Sequence, residues 1–372
     1  MPHPSIAFLY LGRRGALGRF TLELAQAAAH NSAAQSHFIV SSSNEIIATL
    51  RDHAGSVLEV PTFDTATPLA LTKGFLSARR ALIGHLERLR PTAVVTLMPH
   101  LWTPLLAPPI QRMGIQYATI IHDGGPHPGD KTALATRWLL RDANAADLVI
   151  TLSHAVAGRL TAERGIKAET ILPLFHPDLR FGGDGRVRQA DRSRPLRILF
   201  FGRIMAYKGL DIFIDAIGRL KAAGHHIEAA VVGSGEISPD NRARLAALNA
   251  EVVNRWIKDE EIGTILDRFD VMACSHIEAS QSGVVAASFG HQMPVVAMPI
   301  GGIAEQVEDG RTGVLATHAS GEAFAQALSR LIEKPELYDK ISSHLAATAN
   351  TRSMARFLDD ISAGLEAKRH QA

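Results

Sequence analysis

FFGRIMAYKGLD, residues 200–211, reads as the end of an apolar strand, a short basic turn and the start of a helix. The strand RILFFG stops at Gly202. Arg203 and Lys208 follow with four residues between them, and Gly209 opens the amphipathic stretch LDIFIDAIGRLKAAG. An apolar strand feeding a helix through a tight turn is the unit of a parallel sheet covered by helices. Two cations beside a helix N-terminus form an anion site suited to phosphate; a basic loop facing water is the other reading of the same residues.

Outward from this stretch the alternation continues in both directions. Downstream lie EAAVVGSG, EVVNRWI, the helix DEEIGTILDRF, VMACSHI, a helix around SGVVAASFG, PVVAMPI and TGVLAT. Residues 321–348 are largely helical, and SMARFLDDISAGLEAK is a last helix. Upstream, SIAFLYL, HFIVSS, VLEV, AVVTLM, QYATIIH and DLVITLS read as buried strands, with AETILPL closing the series. RFTLELAQAAAH, FLSARRALIGHLERL and TRWLLRDANA read as helices between them. The pattern breaks at GGDGRVRQADRSRP, residues 182–195, polar and rich in Gly, Arg and Asp. The expected organisation is an N-terminal domain over 1–182, a linker over 183–195, a C-terminal domain over 196–350, and a helix over 351–372 crossing back to the N-terminal domain. Both domains are expected to be α/β, doubly wound and Rossmann-like, facing each other across a cleft. Ligands of such sheets bind at the carboxyl ends of the strands.

Composition narrows the function classes. Of 372 residues, 46% are hydrophobic and 20% charged, which suits a globular protein able to build two cores. The single cysteine, Cys274, excludes a disulfide framework, and no Cys/His cluster suggests a metal. The net charge of +2 divides into +5 over residues 1–190 and −3 over the rest, too weak an imbalance to argue for nucleic acid. The opening MPHPSIAFLYLGRRG has too short an apolar run for a signal peptide, and no run reaches the roughly 20 apolar residues of a membrane span. A cytoplasmic protein is expected.

Three further stretches carry candidate chemistry. In SHIEASQSGVVAASFG, residues 275–290, Glu278, Ser280, Gln281 and Ser282 precede Gly283 and a helix. Ser280 or Ser282 can cap that helix, whose free N–H groups suit a phosphate. Glu278 beside such a site suits a neutral, hydroxyl-bearing part of a ligand, or else simply complements the helix dipole. In PIGGIAEQVEDGRTGVLA, Gly301 and Gly302 permit close backbone approach, while Glu305 reads as a capping or packing acid. In TIIHDGGPHPGD, residues 119–130, His122 and Asp123 end a strand, followed by Gly124, Gly125 and His127; the spacing is not that of a metalloprotease helix. His100, after TLMPH, is a weaker candidate. Gly12, Gly15 and Gly18 in LGRRGALGRF do not form a dinucleotide fingerprint, and no acid follows Ser41–Ser43 to hold a ribose.

The ordered set GR-x4-KG, VVGSGE, EASQSGV, PVVA and GGIAEQVEDGRTG resembles the donor domain of group-1 glycosyltransferases, glycosyltransferase family 4, of GT-B fold. The match runs over residues 196–318, about a third of the chain. It implies a retaining enzyme that moves a hexose from a UDP- or GDP-sugar to a glycan or a polyprenyl-diphosphate-linked saccharide, as in cell-surface polysaccharide synthesis. The nucleotide sugar is a substrate, so no cofactor is implied, and no metal. The resemblance places Arg203 and Lys208 on the donor diphosphate and Glu278 on the transferred sugar. Gly15, Gly202, Ser280, Gln281, Ser282 and Gly283 join the donor site. His122 is the matching sugar-contacting histidine, and Gly12, Gly15, His100 and Asp123 face the acceptor. One departure stands out. The family's second glutamate, a ribose ligand, falls on Ala286 counted from Glu278, or on Ala287 counted back from Pro294-Val295, so this is an EASQSGV-type variant without it. The 254–260 loop is the candidate replacement. Trp256 reads either as a flank for the base or as a half-buried strand residue. The missing acid keeps a catalytically silent nucleotide-sugar-binding subunit in play, and the architecture a nucleotide-sugar epimerase.

Residues 72–91, TKGFLSARRALIGHLERLRP, mix apolar Phe75, Leu76, Leu82, Ile83, Leu86 and Leu89 with Lys73, Arg79, Arg80, Arg88 and Arg90. Such a helix lies at an anionic membrane surface, on the inner face where a lipid-linked acceptor would be presented, or packs its apolar stripe on the N-terminal sheet.

Overall fold

The computed structural model describes residues 5–30, 34–62, 68–125, 133–182, 187–191 and 193–371. His127 and the stretch 183–186 lie outside them. The described chain forms two compact units: one takes the residues up to Phe175 together with those from Met354 on, and the other runs from His176 to Ser353.

The first unit holds seven strands: β1 Ser5–Tyr10, β2 Gln35–Ser41, β3 Val57–Val60, β4 Ala93–Thr96, β5 Gln116–Ile121, β6 Leu148–Thr151 and β7 Ile171–Pro173. They pair in the order β3-β2-β1-β4-β5-β6-β7, every pair parallel. The second unit holds six: β8 Leu196–Phe201, β9 Ile227–Gly233, β10 Glu251–Asn254, β11 Val271–Cys274, β12 Val295–Ala297 and β13 Gly313–Leu315. Their order is β10-β9-β8-β11-β12-β13, again wholly parallel. Central strands such as β4, β6 and β11 are buried along their whole length. Helices cover both faces of such a sheet, so its strands carry continuous apolar runs rather than alternation. Each unit is thus a doubly wound α/β domain.

The polar stretch expected to be a linker is instead held on the second unit. Arg188 donates to the carbonyl oxygens of His291 and Phe269 at 2.8 Å each and of Leu266 at 3.0 Å. The Ala190 N–H donates to Asp339 Oδ1 at 2.7 Å, and Arg194 forks onto both oxygens of Asp270. Upstream of it, residues 179–181 press against helices Asp259–Arg268 and Gly283–Gly290: a Cβ on Gly263 or Gly290 would lie 2.0 Å from the carbonyl oxygen of Phe181 or Leu179. The change of unit therefore falls at Phe175, not at residue 182. A Gly- and Arg-rich composition signals a connector by default, but arginines aimed at exposed helix-end carbonyls make a strap.

The final helix, Met354–Gln371, belongs to the first unit, where Phe357 meets Phe20 and Phe175 edge-on at 5.7 and 5.8 Å. Helix Pro68–Leu89 turns its apolar stripe inward: Leu82 and Leu86 are fully buried, and Phe75, Ile83 and Leu89 pack against that core. Only Leu76 is exposed among the six apolar residues, while Arg79, Arg80 and Arg88 face water. The packing alternative accounts for this stripe. Among the described residues no helix is long and apolar enough to cross a membrane. The expected helix TRWLLRDANA is two pieces, Ala133–Leu139 and Arg141–Ala145.

Candidate active site

In the second sheet the connections leave in opposite directions from β8 and β11, which are neighbours, so a crevice opens at their carboxyl ends. The loops that follow these two strands carry most of the candidate residues. They are tied together by backbone. Gly209, at φ 68°, begins helix Leu210–Ala222, and a Cβ there would sit 2.0 Å from the Ser275 carbonyl oxygen. Only glycine fits both the left-handed backbone and the contact. Ser275 Oγ donates back to the carbonyls of Gly209 at 2.9 Å and Lys208 at 3.2 Å, and the Ile277 N–H donates to the Tyr207 carbonyl at 2.8 Å. On the other side of β8, Gly233 closes β9 so tightly that its Cβ would lie 1.8 Å from the Gly202 carbonyl oxygen.

This frame fixes Lys208, which is only 8% exposed. Among the described residues no carboxylate or hydrogen-bond acceptor pairs with its ammonium, whose Nζ lies 3.6 Å from where a Gly202 Cβ would begin. Burial pulls its pKa down to about 8; Cys274 opposes that shift slightly and Arg203 adds to it. Burial likewise pushes the Cys274 thiol up to about 12, so the neighbour is a neutral thiol. A buried cation without a counter-charge is costly, and an incoming anion removes that cost. Arg203 is exposed at the mouth of the same loop, its Nη2 3.4 Å from Tyr207 Oη.

The loop after β11 reaches helix Gly283–Gly290 through Ser282, which is the cap: its Oγ accepts from the Val285 N–H at 3.4 Å. Gln306 holds the Ser282 peptide from both sides, its Oε1 accepting from the Ser282 N–H at 2.7 Å and its Nε2 donating to the Ser282 carbonyl at 3.3 Å. Ser280 is buried and Glu278 half-buried between them. Gln281 Oε1 is buried with no hydrogen-bond partner among the described residues. Ala286 and Ala287 lie within the helix at 1% and 3% exposure, packed into the core. Trp256 is 53% exposed and lies beyond the end of β10, so it is not a half-buried strand residue.

The first-unit candidates sit at the carboxyl ends of three adjacent strands, β1, β4 and β5. His122 Nε2 lies 2.8 Å from the Leu97 carbonyl, so this nitrogen carries the proton and Nδ1 is left as the acceptor. Burial lowers the His122 pKa against the opposing effects of Leu97 and Asp123, and the ring is neutral at pH 7. Asp123 is exposed. His100 Nδ1 accepts from the Trp102 N–H at 3.3 Å, and burial holds its pKa near 4. The Gly12 carbonyl accepts from Asn44 Nδ2 at 2.7 Å. Gly15 precedes helix Ala16–Ala29 at φ 105°, in open space, and its N–H donates to Glu45 Oε1 at 2.9 Å. A carboxylate therefore already occupies the amide read as donor-binding.

Sequence reading did not single out Ser275, Gln306 or Glu45. Ser275 stood inside the quoted motif as a small polar residue at a strand end. Gln306 and Glu45 act through tertiary contacts that leave no local pattern. Among the described residues no group of three or more His, Cys, Asp or Glu is placed to hold a metal.

Comparison with known proteins fits this geometry. HepE from Anabaena, solved with UDP, superimposes with a TM-score of 0.71 over 98% of this chain and all of that one, at 19% identity. A glycosyltransferase from Rickettsia africae gives 0.73 over 98% and 99% of the two chains, at 16% identity. These are GT-B structures, and the shared fold is GT-B. The alpha-D-kanosaminyltransferase of Streptomyces kanamyceticus is 24% identical over 56% of this chain and 58% of its own length. The 2-deoxystreptamine glucosyltransferase of the same organism is 24% identical over 72% and 75%. A D-inositol 3-phosphate glycosyltransferase of Mycolicibacterium paratuberculosis is 27% identical over 54% and 45%. The chain thus spans about half the length of the first curated relatives it matches. Residues 195–334 match the family described as glycosyl transferases group 1, and residues 15–174 match the glycosyl transferase 4-like domain. Between them these two matches take in most of the chain, including every candidate residue but Gly12, so each half of the chain is similar to a glycosyltransferase domain.

Proposed function

We propose that the chain is a retaining hexosyltransferase that binds a nucleotide-diphosphate sugar on its second unit and a glycan or polyprenyl-diphosphate-linked saccharide on its first, in cell-surface polysaccharide synthesis. One observation carries this reading: Lys208, buried and without a counter-charge at the crevice of a doubly wound sheet. Departure of a nucleoside diphosphate from the anomeric carbon builds negative charge on phosphate. Lys208, Arg203 and the N–H groups opening helix Gly283–Gly290 are donors fixed in advance for that charge. They do the work a divalent metal does elsewhere, so transfer is expected to survive a chelator. The half-buried Glu278 and the unpartnered Gln281 Oε1 suit sugar hydroxyls; on the first unit, His122 Nδ1 is a neutral hydrogen-bond acceptor. No carboxylate is assigned as a nucleophile, and the resemblance to the family implies attack from the front face. The leaving phosphate takes the acceptor's proton.

UDP is the favoured nucleotide because the similar HepE was solved with UDP and with UDP-glucose. Trp256, exposed just past β10, is the candidate flank for the base, with the 254–260 loop supplying the ribose contacts that Ala286 and Ala287 do not make. The buried position of those alanines also favours one second reading, a subunit that binds the donor without transferring it.

A thermal-shift screen of UDP- and GDP-sugars, followed by an acceptor-dependent transfer assay, tests the proposal. Stabilisation by one donor and a transferred sugar, both lost in Lys208→Ala, support it. Stabilisation without transfer to any acceptor moves the assignment to the silent subunit. Conversion of the donor with no acceptor present would make it an epimerase, a class in which the UDP-GlcNAc 2-epimerase of Neisseria meningitidis shares this fold at a TM-score of 0.56.

A further inference from the structure

Beside the His122–Gly125 turn of the first unit lies a cavity of about 300 Å³ that the donor and sugar contacts leave unused. Its walls are Arg137, Trp138, Leu140, Arg141, Asn144 and Arg164. Three of six lining residues are arginines and none is acidic. Among the described residues none of the three arginines makes an ion pair, and Arg164 Nε is buried without a hydrogen-bond partner. Two nearby acids are engaged elsewhere. Asp142 is fully buried, accepting from Tyr117 Oη at 2.8 Å and Thr119 Oγ1 at 2.7 Å, and burial raises its carboxyl pKa to about 6. Glu163 pairs with Arg159 at 3.2 Å.

Two of the arginines, Arg141 and Arg164, are also held in position. Trp138 Nε1 donates to the Leu101 carbonyl at 2.9 Å, and the Arg141 guanidinium stacks over the Trp138 ring at 5.0 Å. Arg164 Nη2 lies 3.8 Å from where a Gly125 Cβ would begin, which sets its fork against the turn that follows His122. Three arginines lining one cavity without counter-charge suit a tetrahedral dianion, since each guanidinium offers paired donors in a fixed plane. The volume is at the lower end of ligand pockets, enough for a small anionic head rather than a whole substrate.

The geometry points to a phosphate-binding site formed by Arg137, Arg141 and Arg164, which takes a phosphate or diphosphate ester on the acceptor side of the enzyme. That it is the acceptor's phosphate rests on the transferase reading; that it binds phosphate does not. The ester comes from a soluble sugar phosphate or from a lipid head group, and the chemistry recognised is the same.

Calorimetric titration with inorganic pyrophosphate tests it in a Lys208→Met background, which weakens the donor phosphate clamp. One strong site is expected, weakened about tenfold by Arg141→Gln and lost in Arg137→Gln/Arg141→Gln, as follows from losing charge-assisted bonds. Both arginines are exposed, so the melting temperature should hold. Absence of any site in Lys208→Met, or a site indifferent to the arginine replacements, overturns the proposal. Displacement of pyrophosphate by glucose 6-phosphate assigns a soluble source. Arginine-dependent sedimentation with phosphatidic acid vesicles, but not with phosphatidylcholine vesicles, assigns a lipid head group. UDP binding by the Arg137→Gln/Arg141→Gln protein should match wild type. If UDP fails to bind even the wild-type protein, the donor reading falls while the pyrophosphate result stands.

Discussion

The loops that follow the first strand of each sheet do similar topological jobs and are built in opposite ways. After β8 the chain is locked: Gly209 has no room for a single extra carbon, and Ser275 grips the two carbonyls before the helix. After β1 the chain is open: nothing lies within 4 Å of where a Gly15 Cβ would begin, and its amide is occupied by the exposed Glu45 carboxylate. The locked loop holds an unpaired cation, Lys208, and the open one holds an amide with a replaceable partner. Electrostatic catalysis gains most from charges that need not reorganise, which fits the first loop to a leaving group. An open loop suits a ligand that varies, which fits the second to an acceptor.

The widest gap between the two should come from adding one methyl group to each. Gly209→Ala must move the Ser275 carbonyl and adopt a left-handed backbone, so we expect a stability loss of about 3 kcal/mol and no donor binding. Gly15→Ala meets backbone strain alone and should cost about 1–2 kcal/mol. Thermal melts with and without UDP read both, and equal losses would break the distinction between the loops.

Next in size, Glu278→Gln keeps the shape and most of the hydrogen bonding while removing the charge. If the residue serves the sugar, turnover should fall by about 100-fold with the melting temperature unchanged. Persistent activity with a stability loss of about 0.3–1 kcal/mol would show a group that serves only the helix dipole.

Smallest of all should be Glu45→Gln. The contact is exposed and made to one amide at a helix N-terminus, so melting should register less than about 1 kcal/mol. A large loss would mean that the open loop is as firmly built as the locked one.

How far the sequence shows these differences depends on where the physics lies. The strands were legible because parallel strands buried on both faces are continuous apolar runs; RILFFG and AVVTLM could hardly be anything else. Helix Thr103–Gln111 was not, because Pro108 and Pro109 inside it read as punctuation. The strap at 187–194 read as a linker because the carbonyls that Arg188 meets come from Leu266, Phe269 and His291, far along the chain. In the site, Arg203, Lys208 and Glu278 stood out as charges at strand ends, where a solvated surface alone does not call for them. Gln306 did not, since its grip on Ser282 is a tertiary contact across 24 positions. Nor did the three arginines of the first-unit cavity, which come from three separate helices.

The central claim is that Lys208 waits as a cation for the donor diphosphate, and its pH dependence tests this most directly. In the free protein its pKa is about 8, below the ordinary 10.5. The unfolded chain therefore holds more protons than the folded one between these values, and stability without ligand should rise as pH climbs from about 8 toward 10.5. A bound diphosphate favours the charged form, so above pH 8 binding must take up a proton. UDP affinity should then fall by up to about tenfold per pH unit. Calorimetric titration with UDP from pH 6.5 to 9.5, on wild type and Lys208→Met, should show a decline beginning near pH 8 in the first and a weak, pH-independent affinity in the second. Equal affinity in both proteins, or the same pH profile in both, would contradict the account.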